Sequence, residues 1–183
     1  KPAVLDEVKL EWMNQQYFMK EPPEAIAPLL EKHLRELHID CGPAGDELDK
    51  KLREIVVMLC KRSKTLVEMA QSAKYFFGKD VEFDQKAASK FLTQERAPLL
   101  GELRVMTGSL APFTKGASEE AYVKYAADHG LKLGDIAQPV RVALTGGSAS
   151  PGLFEVIETM GKDLVVYRLA KAEEWIKEQG TKG

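Results

Sequence analysis

The chain has 183 residues, 44% of them hydrophobic and 30% charged, with a formal net charge of −2. That length holds one well-cored domain or two small helical subdomains, and no run of about 18 apolar residues offers a membrane span. A charge of −2 excludes whole-molecule attraction for phosphate, so any nucleic acid has to be met by local basic faces and shaped pockets. Cys41 and Cys60 stand apart without a CxxC spacing, which reads as two reduced thiols, Cys60 buried and Cys41 in a loop, in a cytosolic protein. The first residues, Lys1-Pro2-Ala3-Val4-Leu5-Asp6, lack a start Met and do not suit a signal peptide, so the expectation is a piece of a longer protein.

Apolar spacing is helical almost throughout, and no convincing period-two alternation occurs, so the chain reads as all-α. Near the start, Leu10, Met13 and Tyr17 share a helix face expected to turn toward the core. Ile26, Leu29, Leu30, His33, Leu34 and Leu37 mark a helix after Pro22-Pro23, and Cys41-Gly42-Pro43-Ala44-Gly45 breaks it. Leu48, Leu52, Ile55, Val56 and Leu59 mark the next, with Asp46 placed to cap it. A third runs from about Lys64 to Phe77 and stops at Gly78.

Short helices follow near Asp84–Leu92 and Glu95–Thr107, then a break at Leu110–Gly116. Ser118 is placed to cap a helix whose first turn carries Glu119 and Glu120, and Gly130 to end it in a left-handed turn. Two further helices occupy roughly Pro151–Met160 and Asp163–Gln179, separated by Gly161. Short connections favour antiparallel neighbours packed as a bundle or cage, with the break around Gly78–Phe83 dividing two subdomains.

One segment carries more than architecture. In Thr145-Gly146-Gly147-Ser148-Ala149-Ser150-Pro151-Gly152-Leu153-Phe154, Ser150 suits an N-cap and Pro151 the first helical position. The Gly152 and Leu153 N–H groups would then be unpaired donors at a helix start, open to phosphate or base oxygens. Arg141 offers a planar fork of donors, and Pro151 and Leu153 an apolar surface on which an unstacked base can rest. Local physics alone equally allows an ordinary glycine-rich loop entering a helix.

Gln138-Pro139-Val140-Arg141, Leu144-Thr145-Gly146 and Ser150-Pro151-Gly152-Leu153-Phe154, continued by Gly161-Lys162 and Arg168-Leu169, together resemble the anticodon-recognition segment of bacterial glutamyl-tRNA synthetases. Lys9-Leu10-Glu11-Trp12-Met13-Asn14-Gln15-Gln16-Tyr17 resembles the helix that links the catalytic half of those enzymes to the anticodon-binding half. Lys61-Arg62-Ser63-Lys64-Thr65-Leu66-Val67-Glu68-Met69-Ala70 resembles a helix start of the same family. The resemblance implies a two-subdomain helical cage: a linker helix over 1–20, anticodon-binding subdomains over 21–83 and 84–175, and a tail over 176–183. It implies that Arg141, Ser150, Pro151, Gly152 and Leu153 meet the second and third anticodon bases of tRNA-Glu, and that Arg62, or in its place Lys64, meets the first. Where the family commonly has an arginine after the Thr-Gly pair, this chain has Gly147.

Class I synthetases hold ATP with HIGH-like and KMSKS-like sequences, and neither occurs here. The resemblance therefore implies the tRNA-reading part alone: no cofactor in this chain, ATP and Mg2+ in the full-length enzyme, its own catalytic domain as partner, a monomer, and no DNA or membrane. His33, His38 and His129 are dispersed without metal-ligand spacing. Glu119-Glu120 and Glu173-Glu174 are neighbours that point apart on a helix, hence solvated faces. Trp12 and Trp175 read better as packing groups than as stacking platforms. Two alternatives stay open: a helical protein-interaction scaffold without RNA binding, and a synthetase that also accepts tRNA-Gln.

Overall fold

A computed structural model of the chain describes residues 7–180, and every regular element among them is helical. The chain divides into two compact units, Lys1–Gly78 and Lys79–Gly183. Lys79–Phe83, expected to close the first subdomain, belongs to the second unit, where the Phe83 ring meets Trp175 edge-on at 5.5 Å. The first six residues of the expected linker helix and the last three of the expected tail lie outside the described residues. No described helix is long and apolar enough to cross a membrane.

The first unit holds α1 (Glu7–Lys20), α2 (Pro23–Glu36), α3 (Asp46–Leu59) and α4 (Leu66–Ala73). Pro23 opens α2, where its missing N–H costs no hydrogen bond. α2, α3 and α4 pack on one another and bury Ile26, Leu30 and Leu34 of α2, Leu52, Ile55 and Leu59 of α3, and Met69, Ala70 and Ala73 of α4. Each buried Leu or Ile stabilises the unit by roughly 1.5–3 kcal/mol.

Two local expectations are corrected here. Gly45, not Asp46, is the N-cap of α3, and Asp46 joins Glu47 and Asp49 in the first turn, acting on the helix dipole instead. On α1, Leu10, Met13 and Tyr17 are exposed, and Phe18 is buried. Apolar side chains surround α1 on several sides, so periodicity alone selects no single stripe.

The second unit holds α5 (Gln85–Phe91), α6 (Ala97–Ser109), α7 (Lys115–Asp128), α8 (Leu133–Thr145), α9 (Leu153–Met160) and α10 (Lys162–Gly180). α10 is its spine, packed on α6, α8 and α9. Glycines on α6 let the two long helices approach: a Cβ at Gly101 would lie 3.3 Å from Glu173 Oε2, and one at Gly108 3.6 Å from Val166 Cγ2. Arg104 Nε donates to Glu173 Oε1 at 2.7 Å across the same contact. On the other side α7 packs on α8 and α9, with Tyr122 fully buried, bonded to Thr107 at 2.9 Å and edge-on to Phe154 at 5.6 Å.

Ser118 does not cap α7. Thr114 does, accepting from Ala117 N at 3.3 Å, so the helix starts one turn earlier and buries Ser118 inside it. Leu133–Thr145, to which the apolar spacing assigns no helix above, is helical with Pro139 inside it. Ile136, Val140, Val142, Ala143 and Leu144 are nevertheless buried, and that apolar face holds the helix in place around the proline.

Candidate nucleic-acid interface

The connection from α8 to α9 is built by what ends the first helix and what starts the second. Gly146 ends α8 at φ +81°, and a Cβ there would lie 2.2 Å from Glu82 O, so only glycine fits. Gly146 O accepts from Asp84 N at 2.8 Å, which ties the turn to the start of α5. Thr145 Oγ1 lies 2.9 Å from Arg141 O and 3.2 Å from Gly147 O, and accepts from Gly147 N at 3.4 Å. The backbone is thus satisfied from inside the turn.

Arg141, one turn before the end of α8, reaches across the loop. Its Nη1 donates to Ser150 Oγ and, at 2.7 Å, to Pro151 O. Ser150 Oγ also contacts Pro151 O at 2.9 Å. Arg141, Ser150 and Pro151 are therefore brought together as one cluster, with the guanidinium acting as an internal clamp.

The start of α9 differs from its expected form. Gly152, not Ser150, is the N-cap, so Ser150 and Pro151 precede the helix and Leu153 opens it. Pro151 is buried and Leu153 is 4% exposed, so neither presents an open apolar face. The third residue of the helix, Glu155, lays its carboxylate beside Gly152, where a Cβ would be 2.7 Å from Oε2. Glu155 Oε1 in turn accepts from Lys115 Nζ at 2.7 Å, and that bond raises the lysine pKa. A carboxylate at a helix start satisfies the dipole and repels a phosphate. The face left to solvent is Ser148, Ala149 and Gly152, which suits base edges better than backbone phosphate.

Arg62 and Lys64 stand in the first unit, on the turn between α3 and α4. Thr65 caps α4, accepting from Glu68 N at 3.1 Å, while Glu68 Oε2 accepts from Lys64 N at 2.8 Å. α1 holds this turn from the side: Gln15 Nε2 donates to Lys61 O, and Lys64 Nζ to Glu11 Oε2, both at 3.0 Å. The hydrogen bond that Lys64 donates to Glu11 raises the Lys64 pKa and occupies its ammonium. Arg62 is exposed and has no ion-pair partner among the described residues, which favours it over Lys64 as the cation open to a ligand.

Sequence reasoning named Arg141 and Arg62 but missed the residues that hold the two loops: Thr145, Glu155, Glu11 and Gln15. The Thr-x-x-Glu spacing from Thr65 to Glu68 was a readable signal for the cap. The reach of Glu11 and Gln15 back to the 61–64 turn joins residues 53 and 46 positions apart, which no local pattern reveals. Among the described residues no cluster of three His, Cys, Asp or Glu could hold a metal ion. Cys41 and Cys60 are free thiols, both half-buried, and burial pushes the Cys41 thiol up.

Comparison with known proteins decides the family. A family described as "Anticodon binding domain" matches residues 15–173. The chain belongs to the anticodon-binding domain family. It is 37% identical over 178 residues to a glutamate–tRNA ligase of Geobacter sulfurreducens, covering 96% of this chain and 37% of that protein. To the glutamate–tRNA ligase of Geotalea uraniireducens it is 40% identical over 175 residues, covering 96% of this chain and 36% of the other. The crystal structure of a glutamate tRNA ligase from Elizabethkingia meningosepticum, in complex with its amino acid, superposes with a TM-score of 0.81 at 30% identity over 91% of this chain and 32% of that one. The chain thus spans about a third of the length of the curated relatives it matches. The all-helical architecture of the chain agrees with that superposition.

Proposed function

We propose that this chain reads the anticodon loop of tRNA-Glu as the recognition part of a glutamate–tRNA ligase. The observation that carries the reading is the family match, which spans both the 61–65 turn and the 145–153 connection. On this reading Arg62 offers its guanidinium to the first anticodon base, with Lys64 beside it. The second and third bases meet the surface that Arg141 holds in shape, through Ser150, Pro151, Gly152 and Leu153. Because Pro151 and Leu153 are buried in the free chain, they act by fixing the backbone rather than by offering a ready platform. The role of Arg141 is likewise to set the Ser150–Pro151 backbone, and a base that reaches it competes with an existing hydrogen bond.

The rest of the enzyme, carrying the catalytic domain with ATP and Mg2+, would attach glutamate to the tRNA that this part has accepted. A division into two anticodon-binding subdomains, a monomeric state and a cytoplasmic location belong to the same proposal. The acidic balance of −2 favours one other reading, a helical scaffold without RNA. Equilibrium binding to a tRNA-Glu transcript at two salt concentrations separates the two. An anticodon reader binds more weakly as salt rises, and loses about 1–3 kcal/mol when one contacted base is changed, taking the scale of a good base contact. A scaffold shows no binding even at low salt.

A further inference from the structure

Arg168 is the largest fully buried side chain among the described residues, 1% exposed, in the middle of α10. A buried guanidinium is costly unless its donors are met, and an apolar side chain of similar volume would often serve stability as well. Its position explains what it does instead. Nη1 donates to Leu144 O in the last turn of α8, where the free carbonyls favour a cation. Nε donates to Lys79 O at 3.2 Å. Lys79 begins the irregular segment that places Glu82 O against Gly146 and ends at Asp84, whose N–H donates to Gly146 O. Tyr167, the preceding residue of α10, places its hydroxyl 3.5 Å from Asp80 Oδ1 on the same segment.

One side chain therefore fixes both the end of α8 and the start of the segment lying against Gly146. It does so one residue before the Thr145–Gly152 loop begins. A planar fork holds two carbonyls at set directions, which neither lysine nor an apolar residue reproduces.

We propose that Arg168 is a positioning residue for the 145–152 loop, and through that loop for anticodon discrimination; this rests on the anticodon reading above. Arg168 is buried and touches no RNA, so it acts on selectivity and leaves the salt dependence of binding alone.

The test compares the chain with its Arg168→Met and Arg168→Lys variants, at a temperature where melting curves show all three folded. Each is titrated with a tRNA-Glu transcript and with transcripts changed at the second or third anticodon base. The expected result is a discrimination ratio reduced by about tenfold in R168M, the scale of one lost base contact, less in R168K, with the slope against log salt unchanged. Amide hydrogen exchange at residues 146–149 should rise in both variants while α7 stays protected. If the unaltered chain discriminates and both folded variants discriminate equally well, the proposal is overturned and Arg168 is structural only. If the unaltered chain does not discriminate at all, the anticodon reading itself falls, and the selectivity role of Arg168 with it. Should R168M not fold, R168K decides on the same criteria.

Discussion

The 61–65 turn of the first unit and the 145–152 connection of the second serve one proposed task by opposite means. In the first, the informative group is a long exposed side chain, Arg62, on a turn held by a cap at Thr65 and by two bonds from α1. In the second, the arginine is spent inside: Arg141 bonds Ser150 and Pro151, and a short backbone stretch is what faces solvent. A flexible cation tolerates changes in its surroundings and contributes mainly charge. A pinned backbone contributes shape, and every bond that pins it becomes a point of failure. On the proposed reading, a chain of net charge −2 places selectivity in geometry rather than in whole-molecule charge.

Variants that strike the pinned loop should have the largest effects. Gly146→Ala puts a methyl group 2.2 Å from Glu82 O at a φ of +81°. The strain and the clash together should cost about 3 kcal/mol of second-unit stability, read by urea denaturation with Trp175 fluorescence. Arg141→Ala removes charged donors from Ser150 and Pro151 and should cost about 2 kcal/mol by the same measurement. An Arg141→Ala chain of unchanged stability would mean the clamp is not formed in solution.

In the first unit the effects are smaller. Thr65→Ala should cost about 1 kcal/mol through loss of the α4 cap. Its marker is hydrogen exchange at Glu68, whose amide loses its acceptor. Arg62→Ala should change stability by less than about 0.5 kcal/mol, since the residue is exposed. Its signature is in binding: the slope of log K against log salt should fall by about 1 if Arg62 meets a phosphate, or discrimination at the first anticodon base should fall if it meets that base. Glu11→Ala sharpens the comparison, because it removes the acceptor that occupies the Lys64 ammonium and should strengthen salt-dependent binding slightly. No change there would show that Lys64 lies away from the RNA.

How far these features could be read from the sequence follows from their range. Helices with one clean apolar face, such as α2 and α3, were legible because burial and local spacing agree. α8 was not, since Pro139 breaks the local signal while long-range packing restores the helix. The caps shift by a few residues for two different reasons: the Ser150 hydroxyl is taken by Arg141 and leaves Gly152 as the N-cap, while Thr114, a second polar candidate one turn upstream, caps in place of Ser118. The site arginines were named through resemblance to a family, not through local physics. The clamp of Arg141 and the buried fork of Arg168 depend on partners that only the fold brings near.

The most direct test of the central claim is a matrix of affinities. The chain, Arg62→Ala and Arg141→Ala would each be titrated with tRNA-Glu transcripts altered singly at the first, second and third anticodon positions. The account predicts that the unaltered chain loses about tenfold or more in affinity for altered transcripts. It further predicts that Arg62→Ala flattens the response at the first position only, and Arg141→Ala at the second and third. A chain that binds all the transcripts equally, or variants that lower every affinity by the same factor, would contradict it.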